Sequence, residues 1–154
     1  MRLRPVELPG DAALAVPWYG DPDVMRLSED TTEPYDEETV RRMYAWFLQR
    51  GEAWIIEVRT ASGAWRAVGD VALTPDTVPI VIGVPEHRDR GLGRRVLRLV
   101  IEHARRLGWQ KLRTKGIWVG NERSRRAFEA VGFSLVATGP DNAGRESWFH
   151  ELAL

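Results

Sequence analysis

The stretch Val78–Arg95, VPIVIGVPEHRDRGLGRR, decides how the rest of the chain is read. It opens as a β-branched run, Val78–Val84, that suits a central strand. Pro85-Glu86 breaks the run, and Arg88-x-x-Gly91-x-Gly93 follows at once. From Gly91 the period turns helical: Leu92, Val96, Leu97, Val100, Ile101, Ala104 and Leu107 share one face, and Gly108 is placed to stop the helix. Glycines at such a junction let a ligand approach the backbone, and the unpaired N–H groups of the helix start favour an anion. Arg88, Arg90 and Arg94 add charge. A dinucleotide fingerprint is excluded because its third glycine would fall at Val96, and a P-loop because no Gly-Lys-Ser/Thr follows. An isolated Gly-x-Gly is also a plain turn, so the rest of the chain has to decide.

Outward from this segment the pattern is mixed. Met1–Leu8 reads as a strand, and Asp11 is a candidate cap for a helix over Ala12–Tyr19. A short helical stretch starts at Gly20-Asp21-Pro22. Asp36 caps a helix to Arg50, with Val40, Met43, Tyr44, Phe47 and Leu48 as its apolar stripe. Glu52–Thr60 and Ala64–Thr74 read as a hairpin turned by Ala61-Ser62-Gly63. After the helix from Gly91 come a strand over Leu112–Val119, a helix over Asn121–Val131 and a strand over Phe133–Thr138. A loop over Gly139–Gly144 leads to a closing strand, Ser147–Leu154. The order implies a mixed α/β sheet with helices on both faces.

Composition sets limits. The chain has 154 residues, 22 Lys+Arg against 22 Asp+Glu, and no cysteine. That length suggests one domain over residues 1–154 with a core that needs no staples. Without cysteine there is no thiol nucleophile and no Cys-based metal site, and three scattered histidines make no metal constellation. A balanced charge and no apolar run long enough to span a bilayer argue for a cytoplasmic protein without nucleic-acid or membrane partners. The zero conceals an uneven distribution. Glu29, Asp30, Glu33, Asp36, Glu37 and Glu38 crowd one segment, while seven arginines lie between Arg88 and Arg106. Two solvated faces are the plain reading; a cationic substrate meeting an anionic cofactor is the other.

A second motif joins the first: Asn121-Glu122-Arg123-Ser124 running to Glu129-Ala130-Val131-Gly132-Phe133. Together with Arg88-x-x-Gly91-x-Gly93 after Pro85-Glu86, it resembles the GNAT superfamily of N-acetyltransferases over essentially the whole chain. The chain is similar to the branch that acetylates ribosomal-protein N-termini and aminoglycoside-like amines. The resemblance implies an α/β (α+β) fold with a mostly antiparallel sheet of six or seven strands, about four flanking helices and a splayed central strand pair. It implies acetyl-CoA as co-substrate and no metal. It also implies a small-molecule or peptide amine as acceptor, and a monomer or homodimer.

Residue by residue, the resemblance implies that pantetheine lies between Val78–Val84 and Leu112–Val119, paired with backbone at Ile82, Gly83 and Val84. An amide of Val84 or Gly83 would polarise the thioester carbonyl. Amides of Asp89, Arg90, Gly91, Leu92, Gly93 and Arg94, with Arg88, would hold the pyrophosphate. Asn121 and Ser124 would meet the pantetheine arm. The tyrosine that often protonates the leaving thiolate is replaced by Phe128, which leaves Ser124 to hydrogen-bond the sulfur. A thiol with a pKa near ~8.5 leaves readily without an acid. The base is open, and Asp70, opposite Val71 and Leu73 on its strand, is the candidate. Glu29, Asp30, Tyr35 and Trp118 would form the acceptor wall, with Trp18 and Tyr19 as further aromatic candidates. Freeing a lysine amine at pH 7 costs about 4.6 kcal/mol and an α-amine about 1 kcal/mol, so a weak base tilts toward low-pKa amines. Two other readings stay open. One is an acyl-CoA-binding module without catalysis; the other, an RNA-binding module, lacks the aromatic interleaving it would need.

Overall fold

The computed structural model describes residues 1–29 and 31–154. Asp30, expected in the acceptor wall, lies outside the described residues. Strands β1 (Arg2–Pro5), β2 (Glu52–Arg59), β3 (Trp65–Leu73) and β4 (Ile80–Ile82) form an antiparallel sheet in that order. The second sheet is centred on β8 (Glu146–Ala153). On one side β8 pairs β5 (Lys111–Arg113) and β6 (Ile117–Trp118), and on the other β7 (Ser134–Pro140). The register passes from Arg113↔Glu151 to Ile117↔Trp148, so β5 and β6 are one strand with an extra residue between them. Taken as one, they bring the two sheets to the expected strand number.

Helix α1 is Gly10–Tyr19, and α2, Pro22–Val24, widens into a π-turn over Met25–Glu29. Helices α3 (Glu37–Arg50), α4 (Leu92–Arg106) and α5 (Glu122–Ala130) complete the set. The faces of β2 divide the interior. Trp54 and Ile56 point to the core under α4 and α5, while Ala53 and Ile55 point to the core under α1 and α3. Helix α4 buries Leu92, Val96, Leu97, Val100, Ile101 and Ala104, each stabilising the fold by roughly 1.5–3 kcal/mol, less for the alanine. Its stripe stops short of Leu107, which is half exposed.

Local chemistry departs from expectation in three places. Asp11 does not cap α1, which starts at Gly10. Its carboxylate instead takes the Arg4 fork at 2.9 Å twice and the Glu7 N–H at 2.7 Å. An arginine fork offers a carboxylate more than a helix start does. Strand β4 is three residues long, because regular antiparallel pairing with β3 ends at the bulge around Val68. Strand β7 runs on through Pro140, so the loop to β8 shrinks to residues 141–145. Asp141 organises that turn, accepting from Ala143 N, Arg145 N and Ser147 Oγ.

The two sheets touch where they begin and then part. Val78 N donates to Arg113 O at 3.1 Å, and Lys115 N donates to Thr77 Oγ1 at 3.1 Å. Beyond this junction no ladder joins β4 to β5 or β6 among the described residues. The expected splayed pair is present, and it opens a cleft of about 670 Å³.

Candidate active site

One end of the cleft is the start of α4. Gly91 precedes the helix at φ +76°, a conformation that favours glycine, and no side chain caps the helix. The first N–H groups of a helix fifteen residues long are therefore directed to the cleft without an internal acceptor. Gly91, Leu92, Gly93, Arg94 and Asp89 all line this end, whereas Arg90 is exposed and does not. Asp89 itself holds φ +58° and pairs with Arg123 of α5 at 2.9 Å, across the cleft mouth.

Arg88 reaches the cleft, but its guanidinium has other partners. Nε donates to Ile82 O at 2.8 Å, and Nη2 donates to Gly83 O at 3.1 Å and Asp21 Oδ2 at 3.2 Å. Asp21 also accepts from Asp23 N at the start of α2. Arg88 thus pins the end of β4 to α2 from within the cleft lining, with its guanidinium already bonded to protein oxygens.

The middle of the cleft is the free edge of β4. Gly83 N donates to Val68 O at 2.8 Å and Val84 N to the same oxygen at 3.2 Å, at a β-bulge in β3. Neither amide faces the cleft, so the expected oxyanion donors at Gly83 and Val84 are corrected. In an antiparallel ladder the amides alternate between the partner and the open side. With Gly83 and Val81 turned to β3, the amides of Ile80 and Ile82 point to the open edge. Gly83 has a different constraint: a Cβ there would stand 2.1 Å from the Trp18 ring, which is buried against it. Trp18 is a core residue.

Helix α5 forms the opposite wall. Asn121 caps it, accepting from Ser124 N at 3.2 Å, and donates Nδ2 to Leu27 O at 3.4 Å. Ser124 is half-buried in the cleft lining, and Phe128 beside it is buried edge-on to Phe133 at 5.0 Å. Trp118 is not part of the lining; its ring is covered by Arg26 and Arg145, with guanidinium carbons 5.6 and 4.8 Å from the ring centre. That cover removes it from the expected acceptor floor.

The other end is roofed by Met25–Glu29. Three successive carbonyls of this turn are taken from the second sheet's side: Arg26 O by Arg145 Nη1 at 2.7 Å, Leu27 O by Asn121 and Ser28 O by Lys115 Nζ. The acidic segment contributes less than expected. Asp36 caps α3 through Thr39 N, Glu37 and Glu38 occupy the first turn, and these acids and Glu33 are exposed. Among the described residues of the segment, Glu29 is the acid that lines the cleft, and it accepts from Tyr35 Oη at 3.2 Å. Tyr35 stacks on Tyr19 at 5.9 Å, and Tyr19 is in the lining.

Behind Tyr19 lies Asp70, which is buried and does not line the cleft. It therefore cannot meet an amine directly, as a strand acid beside the cleft would. Tyr19 Oη donates to it at 2.9 Å and Tyr44 Oη at 2.5 Å. Burial raises the Asp70 pKa to about 7, against the lowering effect of both phenols. Burial and the Asp70 charge raise both tyrosines, so their protons stay on. Sequence reasoning missed this cluster, although one signal was available. A tyrosine on the buried stripe of a helix needs a partner for its hydroxyl, and Tyr44 sits on that stripe.

This geometry has a match. Residues 1–134 fit the family model described as "Acetyltransferase (GNAT) domain". The chain belongs to the GNAT acetyltransferase family. It is, as a member, an acetyl-CoA-dependent acetyltransferase. Among solved structures, a domain from Methanocaldococcus jannaschii is similar over 99% of this chain and 97% of its own, with 26% identity and a TM-score of 0.83. A spermidine N-acetyltransferase from Vibrio cholerae, in complex with CoA and spermine, covers 99% and 94% at 18% identity and a TM-score of 0.76. An aminoglycoside acetyltransferase in complex with coenzyme A covers 98% and 93% at 16% identity and a TM-score of 0.76. No curated protein sequence matches this GNAT chain. The GNAT fold accounts for the splayed sheets, and the site's own side chains now have to account for the chemistry.

Proposed function

We propose that this GNAT domain moves an acetyl group from acetyl-CoA directly to a primary amine, either on a small cationic molecule or at a peptide N-terminus. The observation that carries the reading is continuity. A single cleft runs from the uncapped start of α4, along the free Ile80–Ile82 edge, to Glu29 and Tyr19. Each part suits one portion of the reaction. The α4 amides suit a pyrophosphate. The β4 edge suits an amide-bearing arm and gives a carbonyl oxygen a donor as it becomes anionic. Glu29 attracts a cation, and the Tyr35 hydroxyl that it accepts from holds its carboxylate in place.

With no cysteine in the chain, transfer through a thiol-linked acyl-enzyme is unavailable. The amine lone pair attacks the thioester carbonyl, the C–S bond breaks, and the sulfur leaves as a thiolate. No acid is required at Phe128, because a thiol of pKa near ~8.5 is an adequate leaving group. Ser124, a hydroxyl in the lining, is the candidate donor to that sulfur. The solved relatives named for spermidine and aminoglycoside acetylation support a cationic acceptor.

Gly91→Val tests the reading. An L-residue at positive φ costs about 1–2 kcal/mol, and acetyl-CoA affinity measured by calorimetry should fall roughly 5- to 30-fold. Thiol release with spermine or a peptide α-amine should fall in parallel, while the melting temperature drops only by the few degrees that about 1–2 kcal/mol of backbone strain costs a domain of this size. Unchanged affinity discards the pyrophosphate assignment. Tight binding of acetyl-CoA with no turnover on any amine would instead establish a binding module.

A further inference from the structure

Asp70 is a carboxylate with an unusual set of neighbours. It is 5% exposed, on the face of β3 that meets α1 and α3, and its strand neighbours in register, Ile55 and Val81, bring no charge. From α1 it receives the Tyr19 hydroxyl and from α3 the Tyr44 hydroxyl. From the roof of the cleft, Glu29 adds a second negative charge nearby. No arginine, lysine or histidine bonds to it. A purely structural buried acid in this molecule looks different: Glu57, on the adjacent strand, is held by Arg2 and Arg4. Tyr19 is the group that belongs to both the cleft lining and the Asp70 cluster. A phenol has one proton, and that of Tyr19 lies toward Asp70. Tyr19 is itself 1% exposed, so what it can offer an incoming amine, once its hydroxyl is uncovered from the cleft side, is a lone pair.

We propose that Tyr19 accepts a proton from the acceptor ammonium as its own phenol proton passes to Asp70, with Tyr44 tuning how readily Asp70 receives it. The inference rests on the acetyl-transfer reading and supplies the deprotonation which that reading leaves open. The balance closes. The ammonium loses one proton and gains a nucleophilic lone pair; Tyr19 is neutral before and after; Asp70 changes from carboxylate to acid. After attack the nitrogen loses a second proton, the departing thiolate takes one up, and Asp70 returns its own to water. Tyr19 is the catalytic residue in this scheme, and Asp70 and Tyr44 are positioning residues that act through it. A base with a pKa near neutrality is matched to work at neutral pH.

The test is the pH dependence of kcat/KM for spermine acetylation, followed by release of free CoA thiol, with acetyl-CoA affinity measured on each protein. The wild type should show an inflection near neutrality. Tyr19→Phe and Asp70→Asn should each lower kcat by roughly 100-fold or more and abolish that inflection, with acetyl-CoA affinity unchanged. Tyr44→Phe should keep most of the activity and move the inflection to higher pH, because it removes a hydrogen bond that favours the ionised carboxylate. A structural role for the cluster would lower the folded fraction and leave the inflection where it was. Wild-type turnover with an inflection unmoved in all three variants overturns the relay alone. Acetyl-CoA binding without turnover on spermine or a peptide α-amine overturns the acetyl-transfer reading, and the relay falls with it.

Discussion

At the α4 end the cleft offers backbone amides gathered in one short run of sequence, Asp89–Arg94. At the α1 end it offers Tyr19 and Glu29, backed by the buried Tyr44 and Asp70, four positions which only the folded chain brings together. The first end works through geometry that any residue with a suitable φ supplies, plus glycine where φ is positive. The second works through a buried charge whose ionisation depends on what surrounds it. Anion binding by a helix start tolerates many side chains, whereas a proton-handling cluster tolerates few.

Three experiments bear on that contrast, and the largest effect concerns Asp70. The folded protein holds the Asp70 proton more tightly than the unfolded chain does. This contribution to stability is complete below about pH 4 and is lost as pH rises toward 7, by about 4 kcal/mol in all. Urea unfolding across that range should show the wild type losing stability relative to Asp70→Asn. Parallel curves would mean that the site is not tuned by burial. Acids such as Asp11 and Glu57 have depressed pKa values and act in the opposite direction, below the same window, so the difference between the two proteins isolates Asp70.

Next in size is Arg88→Ala. If Arg88 braces β4, unfolding should become about 2 kcal/mol easier while the salt dependence of acetyl-CoA binding stays the same. A smaller salt slope with stability intact would return Arg88 to the phosphates. The smallest effect is expected from Glu29→Gln. It should raise KM for spermine about fivefold, about 1 kcal/mol, and leave KM for acetyl-CoA alone. An equal rise in both would show that the two ends are not separable.

The same contrast explains what could be read from the sequence. The strand, the glycines and the α4 stripe lie within one window, so periodicity and turn chemistry pointed to an anion-favouring helix start. The splayed sheets followed only from the family resemblance. Which amides of β4 face outward depends on a bulge at Val68 in a different strand. The sequence of β4 alone therefore does not show that Gly83 and Val84 turn to β3 and Ile80 and Ile82 to the open edge. The acidic segment misled for a similar reason. Half of its acids, Asp36, Glu37 and Glu38, begin a helix, where carboxylates favour the amide end of the dipole, and that use is indistinguishable by composition from a binding wall. Asp70 was noticed, but the two phenols that define it lie 51 and 26 residues away.

The tie made by Arg145, Asn121 and Lys115 to the carbonyls of residues 26–28 has a mechanical consequence. The sheets are joined at one end by the Val78–Arg113 hydrogen bond and at the other by this tie, with no ladder between. Such a frame behaves as a wedge on a pivot, with an adjustable strut across its open side. Across its open side, among the described residues, the halves meet through these three side chains and the Asp89–Arg123 pair and not through strand pairing. Widening the wedge for a larger acceptor costs the strut a few exposed hydrogen bonds and leaves both sheets whole.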